Sequence, residues 1–129
     1  MALHNDTGNI GEQLARQYLE EKGFAILKTK WHKRKHEADI IAYMEGLIVF
    51  VEVKTRSRQD YGEPEEFVTI EQQRAYVRMA NKYVVENNRT EEVRFDIIAI
   101  EKDGDDYHIT HLENAFSAVG LGLYSRRSK

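Results

Sequence analysis

The chain reads as an α/β domain, a central mixed β-sheet flanked by helices in the order αβββαββ. Two apolar runs, residues 38–44 and 47–53, stand only Glu45-Gly46 apart and are apolar on both faces, as strands in the middle of a doubly covered sheet are. Segments of helical period, with their own cap signals, lie before and after these runs. At 129 residues without cysteine the chain is long enough to bury one core unaided by disulfides, and too short for two. A single domain over residues 1–129 is therefore expected, with its core at about 5–120 and a frayed tail at 125–129.

The first helix is expected to run from a cap at Asp6 or Thr7 to about Lys22, with Gly23 as its stop. Its apolar arc is Ile10, Leu14, Ala15, Tyr18 and Leu19. Glu12 falls at the border of that arc, looking along the surface toward the sheet. Residues 24–29 read as a short strand followed by a basic loop. The hairpin strands come next, with Ile41, Ile48 and Phe50 on one face and Ile40, Val49, Val51 and Val53 on the other. Residues 55–67 are polar, hold the only proline and read as a loop. Thr69-Ile-Glu-Gln72 is a capping-box pattern, opening a second helix to about Asn87 whose stripe of Tyr76, Met79, Ala80 and Tyr83 packs on the sheet. A strand at 93–101, a turn signal at Asp103-Gly104 and a short strand at 107–112 complete the α/β sandwich.

Glu52-Val53-Lys54 closes the third strand with a carboxylate and an ammonium where apolar groups are expected. If Glu45-Gly46 makes a two-residue hairpin turn, Met44 pairs with Leu47, and the same register sets Asp39 opposite Glu52 and Glu37 opposite Lys54. Like charges directly opposed, with Cβ atoms roughly 4.5–5.5 Å apart, destabilise a sheet. A cation between them reverses the sign. Magnesium is held by one or two carboxylates together with waters and phosphate oxygens, which suits Asp39 and Glu52. Lys54 follows on the same face, about 7 Å further along the strand, within reach of a phosphate. The spacing points to phosphodiester cleavage; acid-x-Lys alone is common by chance, and the upstream Asp39 across a tight hairpin makes this instance informative.

The formal net charge of −3 argues against a protein that coats nucleic acid through overall basicity. The cations are nevertheless placed unevenly. Lys28, Lys30, His32, Lys33, Arg34, Lys35 and His36 precede the Asp39 strand, and Lys54, Arg56 and Arg58 follow Glu52. Lys33, Arg34, Lys35, Arg56 and Arg58 are thus the expected phosphate contacts. The spacings His32-x-x-x-His36 and His108-x-x-His111 are read as surface residues, because neither has a third ligand nearby in sequence. The lack of cysteine removes thiolate zinc sites. Without a signal-peptide pattern or an apolar run long enough to span a bilayer, a cytoplasmic protein with no membrane partner is expected.

The set Gly8-x-x-Gly11-Glu12, Glu37-x-Asp39, Phe50-Val-Glu52-Val-Lys54-Thr-Arg56 and Arg94-Phe95-Asp96 resembles the YraN-like family of small bacterial proteins over nearly the whole chain. That family is similar to the PD-(D/E)xK nucleases, near the archaeal Holliday junction resolvases. The resemblance implies a restriction-endonuclease-like fold and a Mg²⁺- or Mn²⁺-dependent endonuclease acting on DNA, with selectivity for branched or junction DNA left open. It implies Asp39 and Glu52 as metal-binding acids, helped by Glu12 and a Val53 carbonyl, Lys54 as catalytic lysine, and Glu37 as an acid of this branch. It also suggests a homodimer. His36 stands where the pattern usually has Gly. Gln72 stands where a helix Lys is expected, although Gln72-x-x-x-Tyr76 is similar to a helix motif of some exonuclease branches. The alternative is a non-catalytic nucleic-acid-binding or adaptor module on the same fold.

Overall fold

The computed structural model describes residues 6–57 and 68–122. Its elements are α1 (Asp6–Glu21), β1 (Ala25–Lys33), β2 (His36–Met44), β3 (Leu47–Ser57), α2 (Ile70–Glu86), β4 (Glu92–Asp103) and β5 (Asp106–Phe116). The five strands form one mixed sheet in chain order. Only β3 and β4 are parallel, and α2 is the crossover between them. This is the expected αβββαββ order.

Each helix covers one face. On one side Ile41, Ile48 and Phe50 pack with Tyr76, Met79, Ala80 and Tyr83 of α2; on the other Ile40, Val49, Val51, Ile98 and Ile100 pack with Ala15 and Leu19 of α1. The face assignment of the hairpin strands therefore holds. Ile10 departs from its expected arc position and is 38 % exposed. The capping box is formed: the Thr69 side chain accepts from the Gln72 N–H while Gln72 Oε1 accepts from the Thr69 N–H. Asp6 and Thr7 lie within α1 rather than ahead of it.

The hairpin register is as expected. Glu45 and Gly46 both have positive φ, 48° and 84°, the pair of values a type I′ turn needs, and pairing runs from Met44–Leu47 to Ile40–Val51. There it stops. Ala38 packs on the α2 side although Ile40 and Ala42 pack on the α1 side, so strict alternation breaks at Asp39 and β2 parts from β3.

Two segments expected as loops are strand. The basic run continues β1 to Lys33, and only Arg34-Lys35 remains as a turn. An edge strand tolerates lysines that would be costly in the sheet centre, and Leu27 and Trp31 anchor this one against the core. Likewise β3 extends to Ser57, because β4 pairs with it along its whole length. The expected loop beyond residue 57, with Arg58, lies outside the described residues.

Candidate active site

The fork between β2 and β3 makes the site. With the ladder ended, the Val53 N–H donates to Asp39 Oδ2 at 2.8 Å, a side chain replacing the lost strand partner. Glu52 comes alongside and is only 8 % exposed. From α2, the buried Tyr76 hydroxyl donates to Glu52 Oε1 at 2.5 Å and accepts the Asp39 N–H at 3.1 Å. One phenol thus ties together the two strands at the point where they part, next to both acids.

Burial, and then the neighbouring Glu52 charge, push the Asp39 carboxyl up to about 8, against the Val53 N–H bond that favours ionisation. Near neutral pH the pair holds a proton that two separate carboxylates would have lost. Burial, followed by the charges of Asp39 and Glu52, also raises Tyr76 well above the usual phenol range, so it stays a hydrogen-bond donor. Lys54 Nζ stands 3.4 Å from Glu52 Oε2.

A third acid arrives from α1. Gly11 faces β3 so closely that a Cβ there would lie 2.2 Å from Thr55 Oγ1, and this approach brings Glu12 over the sheet. One carboxylate oxygen each from Glu12, Glu37 and Asp39 lies within 4.8 Å of the others. Lys30 bonds to Glu12, and that bond first, with the nearby acids, raises the Lys30 pKa. The arrangement suits a hard divalent cation, since it concentrates carboxylate oxygens and little else. The acids Glu37, Asp39 and Glu52 line a cleft of about 330 Å³ with Lys35, His36, Gln72 and Tyr76.

Several expectations change here. Glu37 does not face Lys54: its strand partner is His32, whose Nε2 lies 3.1 Å from its carboxylate, because the ladder to β3 has already ended. Arg56 pairs with Glu101 at 3.4 Å rather than standing ready for phosphate. Lys33 pairs with Glu86 at 2.9 Å, whereas Arg34 and Lys35 project from the hairpin tip, both exposed. Gln72 lines the cleft while serving its cap. Lys30 and the positioning hydroxyl of Tyr76 are the groups sequence reasoning undervalued.

His111 is no surface residue. Its side chain is 5 % exposed, with Nε2 2.7 Å from Asp96 Oδ2 and Nδ1 3.1 Å from the Tyr18 hydroxyl. Asp96, fully buried at a register shift between β4 and β5, also accepts two bonds from Arg94 and one from the Asn114 N–H. Burial raises its pKa, but the bonds from His111, Arg94 and Asn114 outweigh that and hold it below the usual carboxylate range. This network sits between α1 and the sheet and fixes the helix that carries Glu12.

The family model for the uncharacterised protein family UPF0102 matches residues 11–100, which include every acid of the cleft. The chain belongs to that family. A UPF0102 protein of Flavobacterium psychrophilum is 47 % identical over 116 residues, covering 90 % of this chain and 98 % of the relative. One from Flavobacterium johnsoniae is 41 % identical over 120 residues, covering 90 % and 98 %, and one from Alkaliphilus oremlandii is 42 % identical over 117 residues, covering 88 % and 100 %. Among the described residues, no helix is long and apolar enough to cross a membrane.

Proposed function

We propose that this UPF0102 protein is a metal-dependent nuclease of the PD-(D/E)xK, resolvase-like type that cleaves DNA phosphodiester bonds in the Asp39–Glu52 cleft. The observation that carries the reading is the convergence of the Asp39 and Glu52 side chains where β2 leaves β3, with Lys54 beside Glu52. The oxygen-rich donor set of Glu12, Glu37 and Asp39, with Glu52 next to Asp39, fits Mg²⁺ or Mn²⁺, and the Val53 carbonyl belongs to the proposed set. Bound there, such an ion supplies an acidified water and charge neutralisation on phosphate oxygens.

The chain's own residues do the remaining work. The Val53 N–H and the Tyr76 hydroxyl hold Asp39 and Glu52 in place. Lys54 offers a positive charge at the cleft edge, where it stabilises negative charge developing on the phosphate. Lys30 bonds the Glu12 carboxylate where it lies among the other acids. Arg34 and Lys35, exposed beside the cleft, hold the flanking backbone.

A non-catalytic DNA-binding or adaptor role is favoured by one observation: the proton held by Asp39 and the pairing of Glu12 with Lys30 relieve part of the charge conflict without an ion. Incubating the protein with Mg²⁺ or Mn²⁺ and a panel of linear, flapped and four-way DNAs separates the two. Cleavage abolished by EDTA is expected, with the panel reporting any preference for branched substrates. Binding without cleavage on every DNA selects the adaptor role.

A further inference from the structure

The exposed face of α2 carries Arg74, Arg78 and Lys82 at successive four-residue steps, so the three cations stand in a row about 6 Å apart along the helix. Like charges at this spacing repel one another. Among the described residues none of the three has an ion pair. Lys82 has Glu86 one turn ahead, in the weaker of the two helix orientations, and Glu86 bonds instead to Lys33 at the end of β1, with both its oxygens. That pair ties the β1–β2 hairpin to α2 and neutralises its own charges. Arg34 and Lys35 at the hairpin tip are also exposed. Among the described residues of α2 and the hairpin tip, five cations without ion pairs therefore meet a single unpaired acid, Glu71, in a chain whose net charge is −3.

The row is also placed relative to the cleft. Lys35 and His36 of the hairpin and Gln72, Ala75 and Met79 of α2 line the cleft that holds the acids. A separate shallow groove is lined by Arg78, Asn81, Lys82, Val85 and Glu86 on the outward face of the same helix. Solvation alone accounts for scattered surface cations, but it gives no reason to place them in an uncompensated row on the helix that forms one wall of the cleft.

We propose that Arg74, Arg78 and Lys82, together with Arg34 and Lys35, form a backbone track for a DNA duplex arm, which enters the Asp39–Glu52 cleft along α2. The inference rests on the nuclease reading and names the face that holds the substrate. The occupant is a polyanion with regularly spaced phosphates, which a row of cations on a rigid helix matches in charge and repeat. Contacts of this kind set position and affinity without reading bases.

The test uses the full chain and a fluorescent duplex, with binding followed by anisotropy across a salt series in Ca²⁺, and cleavage measured in parallel in Mg²⁺. Replacing Arg74, Arg78 and Lys82 together by Ala should lower affinity for all duplex sequences alike and reduce the slope of log K against log salt by about 2–3, roughly 0.9 for each phosphate that is no longer neutralised. Arg16→Ala on α1 with Lys22→Ala in the turn after it, which removes two other exposed cations, should leave the slope unchanged. Melting curves verify that the triple variant is folded, and Arg78→Glu alone, expected to weaken binding more than Arg78→Ala, gives a second reading on a lighter change. If the triple variant binds with the wild-type slope while the wild type still cleaves, the track is overturned and the nuclease reading stands. If the wild type neither binds nor cleaves any duplex, both fall together.

Discussion

Asp39→Asn should stabilise the metal-free protein, and increasingly so as pH rises. The asparagine keeps an oxygen for the Val53 N–H and supplies a neutral side chain toward Glu52, as the protonated acid does. The Asp39 pKa, about 8 in the fold against 3.8 as the ordinary value, means that the native state retains a proton the unfolded chain has lost. Stability is therefore full below about pH 4 and is lost as pH rises toward 8, at up to about 1.4 kcal/mol per pH unit. Between pH 6 and 8 the wild type should lose about 2 kcal/mol relative to Asp39→Asn, roughly 8 °C in a domain of this size. Calorimetric melts of both proteins in EDTA at pH 6, 7 and 8 measure the widening gap. Mg²⁺ at a hundredfold excess over Kd returns about 2.7 kcal/mol to the wild type and little to the variant, so the gap should narrow or reverse. A gap that stays constant from pH 6 to 8, or an equal response of both proteins to Mg²⁺, would refute the idea that the pair shares a proton and, in its place, an ion.

Tyr76→Phe removes the hydroxyl that Glu52 accepts from and should cost about 1–3 kcal/mol in urea unfolding, because a buried carboxylate loses its donor; a change below about 0.5 kcal/mol would show that Glu52 is held otherwise. Gly11→Ala should cost about 1–3 kcal/mol through overpacking against Thr55. Adding Thr55→Ala should recover most of that loss, and simple additivity of the two changes would place the clash elsewhere. Asp96→Asn should cost about 3 kcal/mol, because an amide NH2 replaces one carboxylate oxygen and Arg94 Nη2 and His111 Nε2 lose the Oδ2 they share. Since Asp96 titrates below its ordinary value in the fold, the stability it contributes is present at neutral pH and lost as pH falls through its folded pKa. The deficit of Asp96→Asn should accordingly shrink in acid melts, and a deficit unchanged with pH would remove the buried charge from the explanation.

The acids were legible in the sequence because two residues, Glu45 and Gly46, leave one sensible turn and hence one register. The same register misplaced Glu37, since nothing in the pattern announces that β2 abandons β3 at Asp39. The extent of β1 was hidden for a different reason: an edge strand packs through few side chains, here Ile26, Leu27 and Trp31, and its lysines read as a loop. Tyr76 sits on an apolar helical stripe, and that period conceals what its hydroxyl does. The Asp96–His111–Tyr18 chain joins residues far apart in sequence, so spacing could not suggest it. Gly11 carried a signal that was available, since a glycine inside a helix costs stability unless close packing requires it.

Whether the cleft is catalytic is decided by single-turnover cleavage of a DNA substrate by wild type and Lys54→Ala, with Mn²⁺ affinity measured on the same preparations. The Lys54 side chain is partly exposed on β3 and its ion pair reaches the cleft edge, so its truncation should leave the fold intact. Mg²⁺-dependent cleavage by the wild type is expected, with at least a hundredfold loss in Lys54→Ala and Mn²⁺ affinity equal within about twofold. Equal cleavage by both proteins, or no cleavage by a wild type that binds the ion, would contradict the proposed role of the cleft.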